Sequence, residues 1–219
     1  MVELIRGLDP ARVAANLASV RERIDAAAGG RDVRVLAATK YVPDEELPAL
    51  AAGGIELVGE NRAQDLERKV AAHGELFDWH FIGALQSRKV RAIVPLVSLI
   101  HSVASRSALR ELAKHSRSAR PGLAILLEVN VAGEEGKAGI APAEISSYLE
   151  EASVPVAGLM TMPPLAADPE ASRPWFAALR ELAAEHGLEQ LSMGTSQDFE
   201  VAAQEGATIV RIGTSLYDQ

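Results

Sequence analysis

The chain has 219 residues, 48% of them hydrophobic and 24% charged, which suits one sizeable core and excludes a disordered polypeptide. Its formal charge of −8 excludes a broad basic surface for nucleic acid or anionic lipid, and the lack of cysteine excludes disulfides, a thiolate nucleophile and cysteine-ligated zinc. Charges, Pro or Gly break every apolar run short of the ~18 residues of a membrane span, and the N-terminus lacks the marks of a secretory signal, so the sequence predicts a cytoplasmic protein with no membrane partner.

Asp9 to Ala28 combines an Asp-Pro start, apolar residues at Val13, Leu17, Val20 and Ile24, and a Gly29-Gly30 stop, a pattern that predicts an amphipathic helix. Beyond it, short β-branched runs alternate with longer Ala-, Leu-, Glu- and Arg-rich segments. The runs 33–39, 55–59, 78–82, 97–102, 123–130, 154–160, 189–193 and 207–212 predict eight strands. Helices are predicted between them near 44–52, 61–73, 86–94, 105–117, 142–151, 170–187 and 197–205. A crossover before each new strand demands parallel pairing. Eight parallel strands close as a (β/α)8 TIM barrel or stay open as a doubly wound sheet, and the count favours the barrel. No linker or composition break divides the chain, so residues 1–219 are expected to form one domain. A helix after the last strand is missing from the pattern, and the extra N-terminal helix is expected to cover that gap or the barrel bottom.

A barrel does its work at the C-terminal ends of its strands, and four places there carry chemistry. Lys40 ends the run VRVLAAT and shares a strand face with Leu36 and Ala38; a partly buried amine there suits Schiff-base formation, and the alternative is an ordinary solvated lysine. Two matching tripeptides, Gly194-Thr195-Ser196 and Gly213-Thr214-Ser215, follow the last two strands, where barrels often hold a phosphate. The alternative there is a helix cap of the form Thr-x-x-Asp ending at Asp198. Arg211 lies mid-strand between Val210 and Ile212; if these meet the helices, Arg211 faces the lumen beside the phosphate loops or pairs with Glu128 or Glu56. His80, between Trp79 and Phe81, is placed on the inner face with Ile82, and no partner at metal-ligand spacing accompanies it. Asn61 and Arg62 add polar groups to the same rim. An amine and a phosphate site at one mouth describe either a phosphorylated sugar held as a Schiff base or pyridoxal 5′-phosphate (PLP).

At these residues the sequence resembles the pyridoxal phosphate homeostasis protein family, single-domain relatives of the barrel domain of alanine racemase. The likeness runs nearly end to end, through LAATK at 36–40, GENRAQDLERK at 59–69, WHFIGALQSRKVR at 79–91, IHSV at 100–103, GLMTMPP at 158–164 and LSMGTSQDFEVAAQEGATIVRIGT at 191–214. It implies Lys40 as the lysine of the internal aldimine, Ser196 with the backbone of Gly213 and Thr214 as the phosphate cradle, and Arg211 beside the pyridine nitrogen. Asn61, His80 and Met193 are placed around the ring by the same analogy; Lys137 falls in a glycine-punctuated loop able to fold over the mouth, and the alternative, which the sequence favours, is a solvated loop lysine. The chain departs from the family at Tyr41-Val42-Pro43, where many members carry basic or small polar residues, and after Thr214, where a longer basic tail is common.

The resemblance further implies a monomer that binds PLP and other B6 vitamers, supplies apo-enzymes, and turns over no amino acid. An arginine at the ring nitrogen opposes its protonation, and the second domain that completes a racemase site has no counterpart in 219 residues. The rival readings are a small amino-acid racemase with Lys40 as one base and a cofactor-free Schiff-base aldolase.

Overall fold

The computed structural model describes residues 4–218. The first helix, α1 (Pro10–Ala28), starts where Asp9 Oδ1 accepts the Ala11 N–H at 3.0 Å, carries Pro10 at its first position and stops at Gly29, whose φ of 62° is left-handed. Val13, Leu17, Val20, Ile24 and Ala28 recur every three or four residues and bury one face.

Eight strands follow: β1 (Arg34–Ala38), β2 (Leu57–Glu60), β3 (Asp78–Phe81), β4 (Leu99–Val103), β5 (Ala124–Glu128), β6 (Val156–Met160), β7 (Gln190–Thr195) and β8 (Ile209–Ile212). They pair in parallel in sequence order, and β8 pairs with β1 to close the barrel, Leu36 opposite Arg211. Helices α2 (Leu47–Ala52), α3 (Ala63–His73), α4 (Val90–Ile93), α5 (Arg106–His115), α6 (Ile145–Glu151), α7 (Arg173–Glu185) and α8 (Phe199–Gln204) make the crossovers, several opened by a turn of 3₁₀ helix, and α9 (Thr214–Tyr217) follows β8. All eight predicted strands and the interleaved helices are present.

Side-chain alternation sorts the residues into two layers. Leu36, Leu57, Leu99, Leu126, Met160 and Ile209 fill the lumen, whereas Ala37, Val58, Phe81, Ile100, Leu127 and Val210 belong to the larger core between barrel and helices. The helix missing from the sequence pattern is the four-residue α9, too short to cover the β8–β1 seam. The leading helix takes that place in the outer ring, packing against α8, α9 and α2. Asn16 Nδ2 donates to the carbonyls of Leu216 at 3.2 Å and Asp218 at 2.9 Å, and the Arg23 guanidinium lies 4.6 Å from the Phe199 ring centroid. Among the described residues no helix is long and apolar enough to cross a membrane.

Candidate functional site at the barrel mouth

At the C-terminal ends of the strands a cavity of about 390 Å3 opens, within the size range of small-molecule sites. Lys40, Asn61, Ser196, Arg211, Gly213 and Thr214 all line it, although they come from four separate strand ends.

Lys40 stands two residues past the end of β1. It is exposed rather than partly buried, because the strand ends before it and the chain turns outward; its Nζ lies 4.7 Å from the Tyr41 ring centroid. The residue before it is fixed from below: Thr39 is fully buried, its hydroxyl donates to Glu60 Oε1 at 2.8 Å, and its carbonyl accepts from Lys69 Nζ at 2.8 Å. Lys69 also forms an enclosed ion pair with Glu60.

The register between β7 and β8 slips by one residue between Ser192 and Thr195, a bulge of the kind that re-aims side chains at strand ends. Gly194 occupies it at φ 89°, where a Cβ would come 2.5 Å from Ala202 Cβ. Beyond the bulge the Thr-x-x-Asp turn forms: Asp198 Oδ1 accepts from Thr195 N–H at 2.7 Å and from its hydroxyl at 3.0 Å. The turn engages Thr195 and leaves Ser196, whose Oγ accepts the Gly213 N–H at 3.1 Å and so joins the two loops. A Cβ built on Gly213 would meet nothing within 4 Å, so this backbone borders open space.

Arg211 is 7% exposed and faces the lumen, with Val210 and Ile212 packed outward. Nη1 donates to Ser192 O at 2.8 Å and Ser192 Oγ at 2.6 Å, and Nη2 donates to Thr161 O at 3.0 Å and contacts Met162 Sδ at 2.7 Å. Among the described residues no carboxylate pairs with it, so the expected alternative of an ion pair with Glu128 or Glu56 is not formed. Burial pulls its pKa down to about 10 and pushes the Glu128 carboxyl up, each offset in part by the other's charge.

Two predicted residues sit elsewhere. Met193 is fully buried in the layer between barrel and helices, because Ser192 takes the inward position of β7 and alternation turns Met193 outward; the methionine of the cavity is Met162. His80 does face inward but lies beneath the mouth, its Nδ1 2.9 Å from His101 Nε2. Lys137 pairs with Glu134 within its own loop and does not line the cavity. Sequence reasoning missed His101, Ser192, Glu60 and Lys69. Alternation along Leu99-Ile100-His101 carries the signal for the first, since Leu99 is a lumen residue. Among the described residues no group of three His, Cys, Asp or Glu side chains could hold a metal ion.

The residues at the mouth fit PLP by their donor set: an exposed primary amine, a guanidinium held in the wall, and a serine hydroxyl bridged to a glycine backbone. The buried Asn61 Oδ1, which has no hydrogen-bond partner, is a further polar atom in a residue of the same wall. Comparison with known proteins then decides the family. The family described as "Alanine racemase, N-terminal domain" matches residues 8–219. The Pyridoxal phosphate homeostasis protein of Aquifex aeolicus is 42% identical over 219 residues, covering 93% of this chain and 96% of that protein. The chain belongs to the pyridoxal phosphate homeostasis protein family. Its namesake from Pseudomonas aeruginosa is 39% identical, with 94% of each chain covered. Among solved structures, PipY of Synechococcus elongatus with PLP bound superposes with a TM-score of 0.78 at 31% identity, covering 94% of this chain and 99% of that one.

Proposed function

We propose that this member of the family binds PLP reversibly at the barrel mouth through Lys40, and maintains the supply of the cofactor without turning over an amino acid. The observation that carries the reading is the convergence of Lys40, Arg211 and the Ser196–Gly213 bridge on one cavity. The names of its relatives and the PLP-bound PipY structure support the same ligand.

When bound, the cofactor supplies an aldehyde that a primary amine captures and a ring that absorbs in the near-visible. Lys40 supplies the amine. Ser196 Oγ and the N–H groups of Gly213 and Thr214 would hold the phosphate, the Gly213 N–H exchanging its bond to Ser196 Oγ for a phosphate oxygen where small residues let the backbone approach. Arg211 would set a fixed cation beside the ring nitrogen and oppose a proton there, which would weaken the ring as an electron sink. Asn61 offers its unpaired Oδ1 to the ring. The titratable groups of the lining are Lys40, Tyr41, Arg211 and Tyr217. Tyr41 lies against Lys40 itself, and Tyr217 donates its hydroxyl to Ala38 O at 3.1 Å, its pKa pushed up by burial. Racemisation needs an acid/base group on each face; in the described lining Lys40 is engaged in holding the cofactor, Tyr41 lies beside it and Tyr217 is bonded to a backbone carbonyl.

The exposed position of Lys40 lets the cofactor leave, which suits exchange with apo-enzymes. B6 vitamers without the phosphate are expected to bind more weakly, because the two-loop cradle is then unused. All these residues come from one chain, so a monomer suffices. The reading is tested by titrating the protein with PLP and then adding L- or D-alanine: a near-visible band that persists without racemisation supports it. Racemisation would restore the enzyme reading, and a protein that gains no band would restore the cofactor-free aldolase.

A further inference from the structure

Beneath the mouth, polar side chains cross the lumen in single file. Arg211 Nη1 donates to Ser192 Oγ at 2.6 Å, Ser192 Oγ lies 2.7 Å from His101 Nδ1, and His101 Nε2 lies 2.9 Å from His80 Nδ1. His80 Nε2 in turn stands 3.4 Å from Asp78 Oδ2. Ser192 and His101 are fully buried and His80 is 1% exposed. Asp78 sits at the opposite end of the barrel, where it lines a second cavity of about 360 Å3 and also accepts from Ser98 Oγ at 2.6 Å and Arg34 Nη2 at 3.2 Å.

The two ends of this file fix its direction. A guanidinium only donates and a carboxylate only accepts. Arg211 occupies a lone pair of Ser192, so the serine hydroxyl is free to donate to His101 Nδ1. A neutral His101 with an accepting Nδ1 carries its proton on Nε2 and donates to His80 Nδ1. His80 then carries its own proton on Nε2, facing Asp78. The opposite polarity would turn an imidazole lone pair toward the Asp78 carboxylate and leave the serine proton without an acceptor, a costly arrangement for buried groups. One tautomer of each histidine satisfies every group.

We propose that His80, His101 and Ser192 form a polarised hydrogen-bonded relay through the barrel, oriented at its far end by the Asp78 carboxylate, that holds Arg211 in its pose and so tunes the cofactor site from that end of the lumen. The tuning half rests on the PLP reading above; the relay itself does not. Ser192 is a positioning residue here, acting on the site through Arg211.

The first test uses the wild-type protein without cofactor: nitrogen NMR of the imidazoles at neutral pH, with both histidines expected neutral and protonated on Nε2. A proton on Nδ1 of either ring, or a charged ring, would overturn the relay. The second compares PLP-loaded Ser192→Ala and Ser192→Thr. The alanine variant is expected to shift the near-visible band and raise Kd for PLP about three- to tenfold, the effect of one hydrogen bond, and the threonine variant to restore both. An alanine variant with an unchanged band and Kd would overturn the tuning. A wild-type protein that takes up no PLP would sink the cofactor reading and the tuning with it, and the tautomers would still decide the relay.

Discussion

Lys69 on α3 and Glu60 at the end of β2 form an ion pair inside the protein, their side chains 2% and 0% exposed. Both also bond to Thr39, so the residue before Lys40 is tied to two charged neighbours rather than to solvent. Removing one partner leaves the other charge buried without compensation. Lys69→Met is expected to lower the unfolding free energy by about 3–5 kcal/mol, measured by urea denaturation. A loss below about 1 kcal/mol, the range of an exposed pair, would contradict the enclosed pair.

Ser196→Ala removes the hydroxyl that joins the two terminal loops and that the phosphate is proposed to use. Hydrogen bonds to charged groups contribute about 1.5–3 kcal/mol, so Kd for PLP is expected to rise tenfold or more. Stability should change by about 1 kcal/mol or less, and pyridoxal, which lacks the phosphate, should be affected far less than PLP. Equal losses for both ligands would remove Ser196 from the cradle.

Gly83 follows β3, and a Cβ there would stand 2.0 Å from Asn61 O. Gly83→Ala must therefore displace the backbone of a residue that lines the cavity. An overpacking cost of about 1–3 kcal/mol is expected, together with weaker PLP binding. A variant with wild-type Tm and Kd would show that the Asn61 segment moves freely.

Burial holds His80 and His101 neutral and pushes both pKa values below the ordinary 6.5, His101 well below it. The unfolded chain protonates both near pH 6.5 while the folded chain does not, so stability falls as pH drops below that value. Burial works against ionisation of Asp78, yet bonds from His80 and Ser98 hold its carboxyl below the usual carboxylate range. Its contribution is present above the unfolded value of about 3.9 and lost as pH falls further. Urea denaturation from pH 8 to pH 3 is expected to show a plateau above about pH 7 and a decline in these two stages. Unchanged stability from pH 7 to pH 5 would mean that the histidines are free to charge.

The barrel was legible because it rests on local signals: β-branched runs set eight strands, and alternation placed Arg211 and His80 inward, as observed. The sequence allows α1 two places, the β8–β1 seam or the barrel bottom, because which helix fills a gap depends on packing between chain ends. Strand-end position and turn chemistry suffice to bring Lys40, Asn61, Ser196, Arg211, Gly213 and Thr214 to one mouth, and all six line its cavity; that they hold PLP is the proposal. Met193 faces away from the cavity, because alternation along β7 turns Ser192 inward, a constraint that family resemblance alone does not carry. The Lys69–Glu60 pair was not readable as an enclosed pair. Both residues look like solvated charges in GENRAQDLERK, and only the docking of α3 on β2 removes them from water.

The most direct measurement of the central claim is borohydride reduction of the PLP-treated protein followed by peptide mapping. Stable attachment of the pyridoxyl group to Lys40, with no labelling of the Lys40→Ala variant, is the expected result. Label spread over surface lysines, or retained in the variant, would contradict a PLP site at the barrel mouth.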